Sequence, residues 1–268
     1  MTESATSETT GDGAKPRKRK PEKGAAAFPV PCRFELHLPS AKGLKPPFPL
    51  VVAFHGMSQT AEIFAAQISG LLDGPFAVLV PDGPYAHEVK DGDGRREGRA
   101  WYIYTGDQDD FVASVRHTAS WVWSLVDAAA ARHPIDPARI GLLGYSQGGY
   151  LAGVMAIDKV RPVKACVLVG SRLKVELLEN GGKKAKKKSA KAKKKSVAVP
   201  PFLCLHGERD KIVPTEIAKQ SADKAKDLGV DIRFETFPAG HRVVDDEMRA
   251  AVAFFLNRLS PLPLVSGV

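Results

Sequence analysis

The stretch RIGLLGYSQGGYLAG, residues 139–153, decides how the rest of the chain is interpreted. Its centre, residues 144–148, reads Gly-Tyr-Ser-Gln-Gly, with Ser146 between a short apolar run and a helix-like run of small residues. In a strand-turn-helix elbow such a serine is strained, and side chains at the two glycines would collide with neighbouring backbone. Because Gly-x-Ser-x-Gly also occurs by chance in turns, the partners of a nucleophilic serine must be found elsewhere in the sequence.

Short apolar runs, including the one that leads into Ser146, predict buried strands. They are continuous rather than alternating, as in a parallel sheet that is covered on both faces. The runs span residues 48–56, 76–83, 139–146, 163–171, 201–207 and 232–240, and helical patterns span 109–133, 214–229 and 245–259. An alternating run at 33–39 predicts an antiparallel edge strand. The alternation of strands and helices predicts an α/β fold, a mostly parallel, doubly wound sheet with helices on both faces.

Two segments differ in composition from this pattern. Residues 1–27 are rich in Thr, Ser, Gly, Lys and Pro, and residues 181–196 hold nine lysines and no acidic residue. Both are predicted to be disordered, the first as a tail and the second as an insert in a single domain that spans residues 28–268. Without the nine lysines the chain has 30 basic and 30 acidic residues, so the net charge of +9 belongs to the insert.

The lysine-rich insert has two interpretations. Lys183–Lys195 could contact an anionic surface or nucleic acid weakly, with strong salt dependence. The insert has no aromatic residues for base stacking, which favours a solvated loop. As a link between a helix and a strand, it is predicted to lie at the sheet edge opposite the active site.

Apolar runs and cysteines indicate where the protein resides. No apolar run approaches the ~18 residues of a transmembrane span, and the N-terminal sequence has no apolar stretch typical of a signal peptide. The three cysteines are Cys32, Cys166 and Cys204, and none lies in a Cys-x-x-Cys pattern. Cys166 and Cys204 lie in strand-like runs, which favours buried thiols over disulfides or a metal site. We therefore predict a cytoplasmic protein without a transmembrane segment.

Two later loops offer an acid and a base for Ser146. Asp210 follows the strand-like run PFLCLHG, at the strand end where catalytic groups gather in open α/β sheets. Glu208 is its nearest rival, and either could instead be a solvated loop carboxylate. His241 follows the last predicted strand, in PAGHRV, ahead of the last helix. The chain order Ser, Asp, His is the one expected of α/β-hydrolases.

Backbone donors for a developing oxyanion are predicted at two loops. One is the N–H of Gln147, directly after the serine, and the other is the N–H of Met57, in the loop after the strand PLVVAF. Two further histidines end strands, His55 and His206, and we assign them to hydrogen bonds that hold their loops. No metal-binding motif such as His-Glu-x-x-His is present in the sequence.

Four motifs together resemble the phospholipase/carboxylesterase family of α/β-hydrolases, which includes the acyl-protein thioesterases. They are FHGMSQT, GLLGYSQGGYLAG, LHGERDKIVP and PAGHRV, and the resemblance covers roughly residues 30–259. It implies a cofactor-free serine hydrolase that acts on small-molecule carboxylic esters or thioesters. It also implies Ser146 as nucleophile, with Asp210 and His241 as its partners. The stretch GRAWYIY resembles the family's Trp-aromatic segment, which implies that Trp101 lies near the acyl pocket.

The first loop departs from the thioesterase pattern and leaves the substrate open. HGMSQTA is closer to the polyhydroxybutyrate depolymerase and feruloyl esterase branch than to the Gly-Asp pair usual in thioesterases. Two alternatives to an ester hydrolase remain at this stage. One is a serine peptidase of prolyl-oligopeptidase type, and the other is a non-enzymatic binder that acts through the lysine-rich insert.

Overall fold

The computed structural model describes residues 30–40, 43–158, 160–178 and 199–259. The predicted tail at 1–27 and the predicted insert at 181–196 lie outside these ranges. The elements below belong to the unit Pro31–Val268.

A central sheet confirms the predicted fold class. Its strands are β1 Phe34–His37, β2 Phe48–Phe54, β3 Ala77–Pro81, β6 Ile135–Tyr145, β7 Ala165–Val169, β8 Phe202–Gly207 and β9 Ile232–Phe237. The strand order is β1-β3-β2-β6-β7-β8-β9, and every neighbouring pair except β1 and β3 is parallel. The alternating run at 33–39 forms the antiparallel edge strand β1, as predicted.

A separate hairpin was not predicted from the sequence. Strands β4 (Tyr85–Asp91) and β5 (Gly94–Ala100) pair antiparallel, and Asp91 lies opposite Gly94 across a two-residue turn. Gly92 in that turn has φ of +58°, a conformation that favours glycine. The hairpin is mostly polar, and only three of its fourteen strand residues are buried, so it lacks the apolar run from which the other strands were predicted.

Helices cover both faces of the sheet. They are α1 Ala61–Gln67, α2 Ser69–Leu72, α3 Gln108–Arg132, α4 Gln147–Asp158, α5 Thr215–Asp227 and α6 Asp245–Leu259. Asp107 caps α3, because its side chain accepts hydrogen bonds from the N–H groups of Asp109 and Asp110. None of the helices within the described ranges has both the length and the apolar character needed to cross a membrane.

Alternate residues of β2 enter different hydrophobic clusters. Leu50, Val52 and Phe54 pack in the cluster that includes α3, α4 and α5, whereas Val51 and Ala53 pack in the cluster of α1, α2 and α6. All five side chains are fully buried, which explains the continuous apolar run in the sequence. Since β2 and β6 to β9 run parallel, the loops that follow them emerge at one edge of the sheet, where the candidate site lies.

Candidate active site

Ser146 occupies a strained turn between β6 and α4. Its φ is +50°, in the left-handed region that is unfavourable for a residue with a side chain. A Cβ atom on Gly144 would lie 2.2 Å from the carbonyl oxygen of Gly148, and one on Gly148 would lie 2.3 Å from that of Phe54. The close approach of β6, α4 and β2 therefore requires both glycines. The N–H of Ser146 donates to the Val169 carbonyl at 2.9 Å and holds the turn on β7.

The structure brings the predicted base into contact with this serine, and the predicted acid into contact with the base. Nε2 of His241 lies 2.9 Å from Oγ of Ser146, and Nδ1 of His241 lies 2.7 Å from Oδ2 of Asp210. With Nδ1–H donating to the carboxylate, Nε2 is left to accept the serine proton. The three groups come from the loops after β6, β8 and β9, separated by up to 95 positions in the chain.

Asp210 is held rigidly, whereas its rival Glu208 lies elsewhere. Oδ1 of Asp210 accepts the N–H groups of Ile212 and Val213, each at 2.9 Å. Its side chain has no accessible surface, so the carboxylate has one orientation toward His241. Glu208 is exposed, and its N–H donates to the Phe237 carbonyl.

Tyr145 supports the histidine loop, a contact that the sequence did not reveal. Its hydroxyl donates to the His241 carbonyl at 3.0 Å, and the two rings lie 5.2 Å apart between centroids. Burial raises the pKa of the Tyr145 phenol to about 12, so the hydroxyl keeps its proton and remains a donor at neutral pH. In the motif alone, Tyr145 is the variable position of Gly-x-Ser-x-Gly, so nothing local identifies this role.

The two predicted oxyanion donors lie at the same cavity as Ser146. Met57 and Gln147 both line it, and within the described residues neither backbone N–H donates to another group. The Met57 side chain is exposed to solvent, so the predicted role of this residue depends on its backbone N–H and not on its side chain. Gln59 helps to order that loop, because its Oε1 accepts the Gly56 N–H at 2.8 Å.

The side chain of Gln147 ties α4 to the segment after β5. Its Oε1 accepts the Trp101 N–H at 2.9 Å, and its Nε2 donates to the Tyr102 carbonyl at 3.1 Å. Sequence reasoning considered only the backbone of Gln147. The side-chain contact depends on a segment 46 positions away, which no local pattern indicates.

Trp101 was expected near the acyl pocket, and it lies behind the cavity wall, bonded to the lining residue Gln147 but not itself among the lining residues. It has no accessible surface, and its indole N–H donates to the His55 carbonyl at 2.8 Å. Its neighbours Tyr102 and Tyr104 line the cavity instead. The physical reason is that the large indole fills the space beside Phe54, with ring centroids 5.3 Å apart.

His55 and His206 make the loop-holding hydrogen bonds that were predicted. His55 donates through Nδ1 to the Gly56 carbonyl at 2.7 Å and accepts the Gly83 N–H at Nε2, at 2.9 Å. Burial lowers the pKa of His55 to about 4, which keeps the ring neutral for this pair of contacts. His206 donates through Nε2 to the Val213 carbonyl at 2.7 Å.

The cavity beside Ser146 has a volume of about 700 Å³. Its wall includes five Tyr or Phe side chains, and it also holds two cations, Arg172 and Lys174, that sequence reasoning did not single out. No cluster of His, Cys, Asp or Glu with metal-binding geometry occurs within the described ranges. The site thus combines a serine in contact with a base, free backbone donors and an apolar cavity of a size typical of small-molecule sites.

Comparisons with known proteins agree with this architecture. A family model described as phospholipase/carboxylesterase matches residues 41–259. Over 133 residues the chain is 34% identical to acyl-protein thioesterase 1 of Gibberella zeae, an alignment that covers 47% of this chain and 51% of that protein. The chain therefore spans about half the length of the curated relatives it matches.

Solved structures share the fold. Esterase PE8 superposes with a TM-score of 0.64 at 22% identity and covers 86% of this chain and 100% of its own. Acyl-protein thioesterase 2 of Zea mays superposes with a TM-score of 0.62 at 20% identity, covering 85% of this chain and 99% of its own. These similarities confirm the predicted α/β-hydrolase fold.

Proposed function

Because this chain belongs to the phospholipase/carboxylesterase family, we propose that it hydrolyses carboxylic esters or thioesters through an acyl-enzyme. The observation that carries the proposal is the contact of 2.9 Å between Ser146 Oγ and His241 Nε2, backed by the contact of 2.7 Å between His241 and Asp210. A serine hydroxyl becomes an effective nucleophile when a positioned base takes its proton during attack.

Acylation begins when Ser146 Oγ attacks the substrate carbonyl carbon. The hydroxyl proton passes to Nε2 of His241, and the buried Asp210 carboxylate stabilises the imidazolium that forms. The tetrahedral intermediate then collapses, the bond from carbon to the leaving oxygen or sulfur breaks, and His241 returns the proton to the leaving group. The products of this half-reaction are an alcohol or thiol and an acyl-serine.

Deacylation repeats the same steps with water as the nucleophile. His241 takes a proton from water as its oxygen attacks the acyl carbon, and the proton then goes to Ser146 Oγ as the acid departs. In both halves the negative charge on the carbonyl oxygen is stabilised by the N–H groups of Met57 and Gln147. A donor of this kind is worth about 10²–10³-fold in rate.

Replacement of the nucleophile tests the proposal. The change Ser146→Ala should lower kcat on 4-nitrophenyl esters by about 10⁶-fold, as in other triads. Ser124→Ala, a change at an exposed serine of α3, is the matched control and should retain full activity. A Ser146→Ala protein with the turnover of the unmodified protein would exclude this mechanism.

Two further measurements separate the alternatives. A fluorophosphonate probe should label the protein at Ser146 and not label Ser146→Ala, whereas a non-enzymatic binder would not react. Acyl esters of increasing chain length, compared with peptide amides of matched leaving groups, distinguish an ester hydrolase from a peptidase. Faster hydrolysis of the amides would favour the peptidase.

We also propose that the protein works in a reducing compartment, consistent with the predicted cytoplasmic location. Cys166 and Cys204 are buried thiols on the neighbouring strands β7 and β8 and form no disulfide. Burial raises the pKa of the Cys204 thiol to about 12, so it is a poor thiolate former. Fractionation of the native host, with detection by an antibody, tests the location.

A further inference from the structure

Two cations lie in the wall of the cavity that holds Ser146. Arg172 and Lys174 belong to the segment that follows β7, and both line the cavity together with Tyr150 and Phe111. The hydrolytic steps described above use neither side chain. Partial burial of a positive charge costs free energy unless an anion or a hydrogen-bond acceptor compensates it. We therefore asked which groups compensate these two cations.

The backbone on both sides of Arg172 is held tightly. A Cβ on Gly149 would lie 2.4 Å from the Ser171 Cβ, so the first turn of α4 packs directly against the residue before Arg172. Leu173 is buried in the core, and its carbonyl accepts a hydrogen bond from the Ser221 hydroxyl. The backbone that carries the Arg172 side chain is therefore fixed in place beside α4, the helix that begins at Gln147.

Arg172 is only partly neutralised. Its Nη1 contacts Oε1 of Glu176 at 3.0 Å, and the side chain of Arg172 is 20% exposed. Glu176 is half exposed and does not line the cavity. On the cavity side Arg172 lies beside the Tyr150 hydroxyl, where it opposes the rise in the pKa of Tyr150 that burial causes.

In the described part of the chain Lys174 forms no ion pair within 4 Å, although the Glu176 carboxylate acts on it at longer range. Its Nζ donates to Oε1 of the neutral Gln108 at 2.8 Å and lies 5.0 Å from the centre of the Phe111 ring. Burial lowers the pKa of Lys174, the nearby Arg172 charge lowers it further, and the Glu176 carboxylate opposes part of this decrease. Two cations thus line one cavity close enough to repel each other, and one carboxylate, Glu176, interacts with both.

The residues that line this cavity within the described ranges include no Asp or Glu. We propose, resting on the ester hydrolase function above, that Arg172 and Lys174 bind an anionic group at the far end of the acyl chain. The preferred substrates are then esters or thioesters whose acyl part ends in a carboxylate or a phosphonate-like group. The aromatic wall holds the acyl methylene groups, and the cations supply charge-assisted hydrogen bonds to the anion.

Paired substrates of similar shape test this inference. The first pair is mono-4-nitrophenyl adipate, which ends in a carboxylate, and 4-nitrophenyl hexanoate, which is neutral. We expect kcat/KM to favour the adipate ester by about 10- to 100-fold, the size of one or two charge-assisted hydrogen bonds. An ester of 6-aminohexanoate, with a positive end, should be the poorest, and an ester of 5-phosphonopentanoate distinguishes phosphonate from carboxylate preference.

The double change Arg172→Gln and Lys174→Gln should remove the preference. The ratio of kcat/KM for adipate to hexanoate should fall to about one, because each lost charge-assisted contact removes roughly tenfold. Lys219→Gln with Lys224→Gln on α5 removes the same net charge from exposed positions and should keep the ratio. An unmodified protein without preference, or a preference that survives in the Arg172 and Lys174 variant, would overturn the inference.

A binding measurement separates this inference from the proposed function. In Ser146→Ala protein, monomethyl adipate and dimethyl adipate can be titrated by NMR without turnover. Tighter binding of the anionic monomethyl ester, lost when Arg172→Gln and Lys174→Gln are added to Ser146→Ala, supports the inference even for a protein that hydrolyses no ester. Equal affinity for the two ligands overturns it, whatever the esterase assays show.

Discussion

A buried carboxyl group, Glu247, lies at the start of α6 behind the candidate site. It has no accessible surface, and its Oε2 accepts the Val244 N–H at 3.0 Å. Its Oε1 has no hydrogen-bond partner among the described residues. Burial raises the pKa of Glu247 to about 7, and the negative charge of Asp210 adds to the rise. Near neutral pH this residue therefore opposes folding when it ionises.

The change Glu247→Gln should stabilise the protein increasingly as pH rises. Between about pH 4.5 and 7 the unfolded chain loses this proton while the folded protein keeps it, so the unfolding free energy falls as pH rises and stays low above pH 7. Glutamine cannot ionise but can still accept the Val244 N–H. The advantage of the variant should grow from pH 5 to pH 8 by at most about 3 kcal/mol.

Urea unfolding of both proteins across this pH range measures the effect. Glu216→Gln, at an exposed carboxylate in the first turn of α5, is the matched control. Buried His55 titrates in the same range with the opposite sign, but it is common to all three proteins and cancels in the differences. An advantage of Glu247→Gln that stays constant between pH 5 and 8 would contradict the assignment.

At the scale of elements, the contact between α4 and the end of β5 holds the cavity wall. The Gln147 side chain satisfies the Trp101 N–H and the Tyr102 carbonyl. Gln147→Ala leaves the N–H of a fully buried residue without a partner, which should lower the unfolding free energy by about 1–3 kcal/mol. Gln147→Glu keeps an acceptor for Trp101 but loses the donor to Tyr102 and should also destabilise.

Denaturant unfolding and ester hydrolysis should be measured together for these variants. The backbone N–H of residue 147 is present in both variants. The rate of ester hydrolysis should therefore decrease only if the segment around Trp101 is displaced. Gln220→Ala on α5 is the control, since among the described residues this exposed glutamine bonds only to Glu216, and its loss should cost under about 0.5 kcal/mol. Equal unfolding free energies for Gln147→Ala and the unmodified protein would show that the Gln147 side-chain hydrogen bonds do not stabilise the fold.

At the scale of the whole molecule, the excess charge belongs to one segment of the sequence. The nine lysines of 181–196 account for the net charge of +9. The described residues on either side, Leu178 and Val199, pack against the core, and the segment precedes β8. The site lies at the opposite ends of the strands, after β6, β8 and β9.

Deletion of residues 181–196 should therefore leave kcat/KM on a neutral ester unchanged. A second variant that keeps the length but replaces the nine lysines with glutamines separates charge from length. Circular dichroism and thermal unfolding verify that both variants fold. Loss of esterase activity in a folded deletion variant would contradict the prediction that this segment lies away from the site.

Much of the fold could be predicted because its signals are local. Continuous apolar runs marked the parallel strands, and the predicted bounds differ from the observed ones by a few residues, with β6 longest at Ile135–Tyr145. The hairpin of β4 and β5 was missed since its exposed, charged residues carry no burial signal. Helix α3 matched closely because its apolar residues recur at helical spacing over seven turns.

The sequence by itself determined the strand order along the chain and the residues Ser146, Asp210 and His241 as candidates, because short motifs at strand ends encode them. Only the tertiary structure decided that Trp101 is buried, that Tyr145 and Gln147 support the loops, and that Arg172 and Lys174 face one cavity. The physical reason is the distance along the chain over which each interaction acts. Periodicity and turn chemistry act over a few residues, whereas side-chain contacts depend on how distant elements pack against one another.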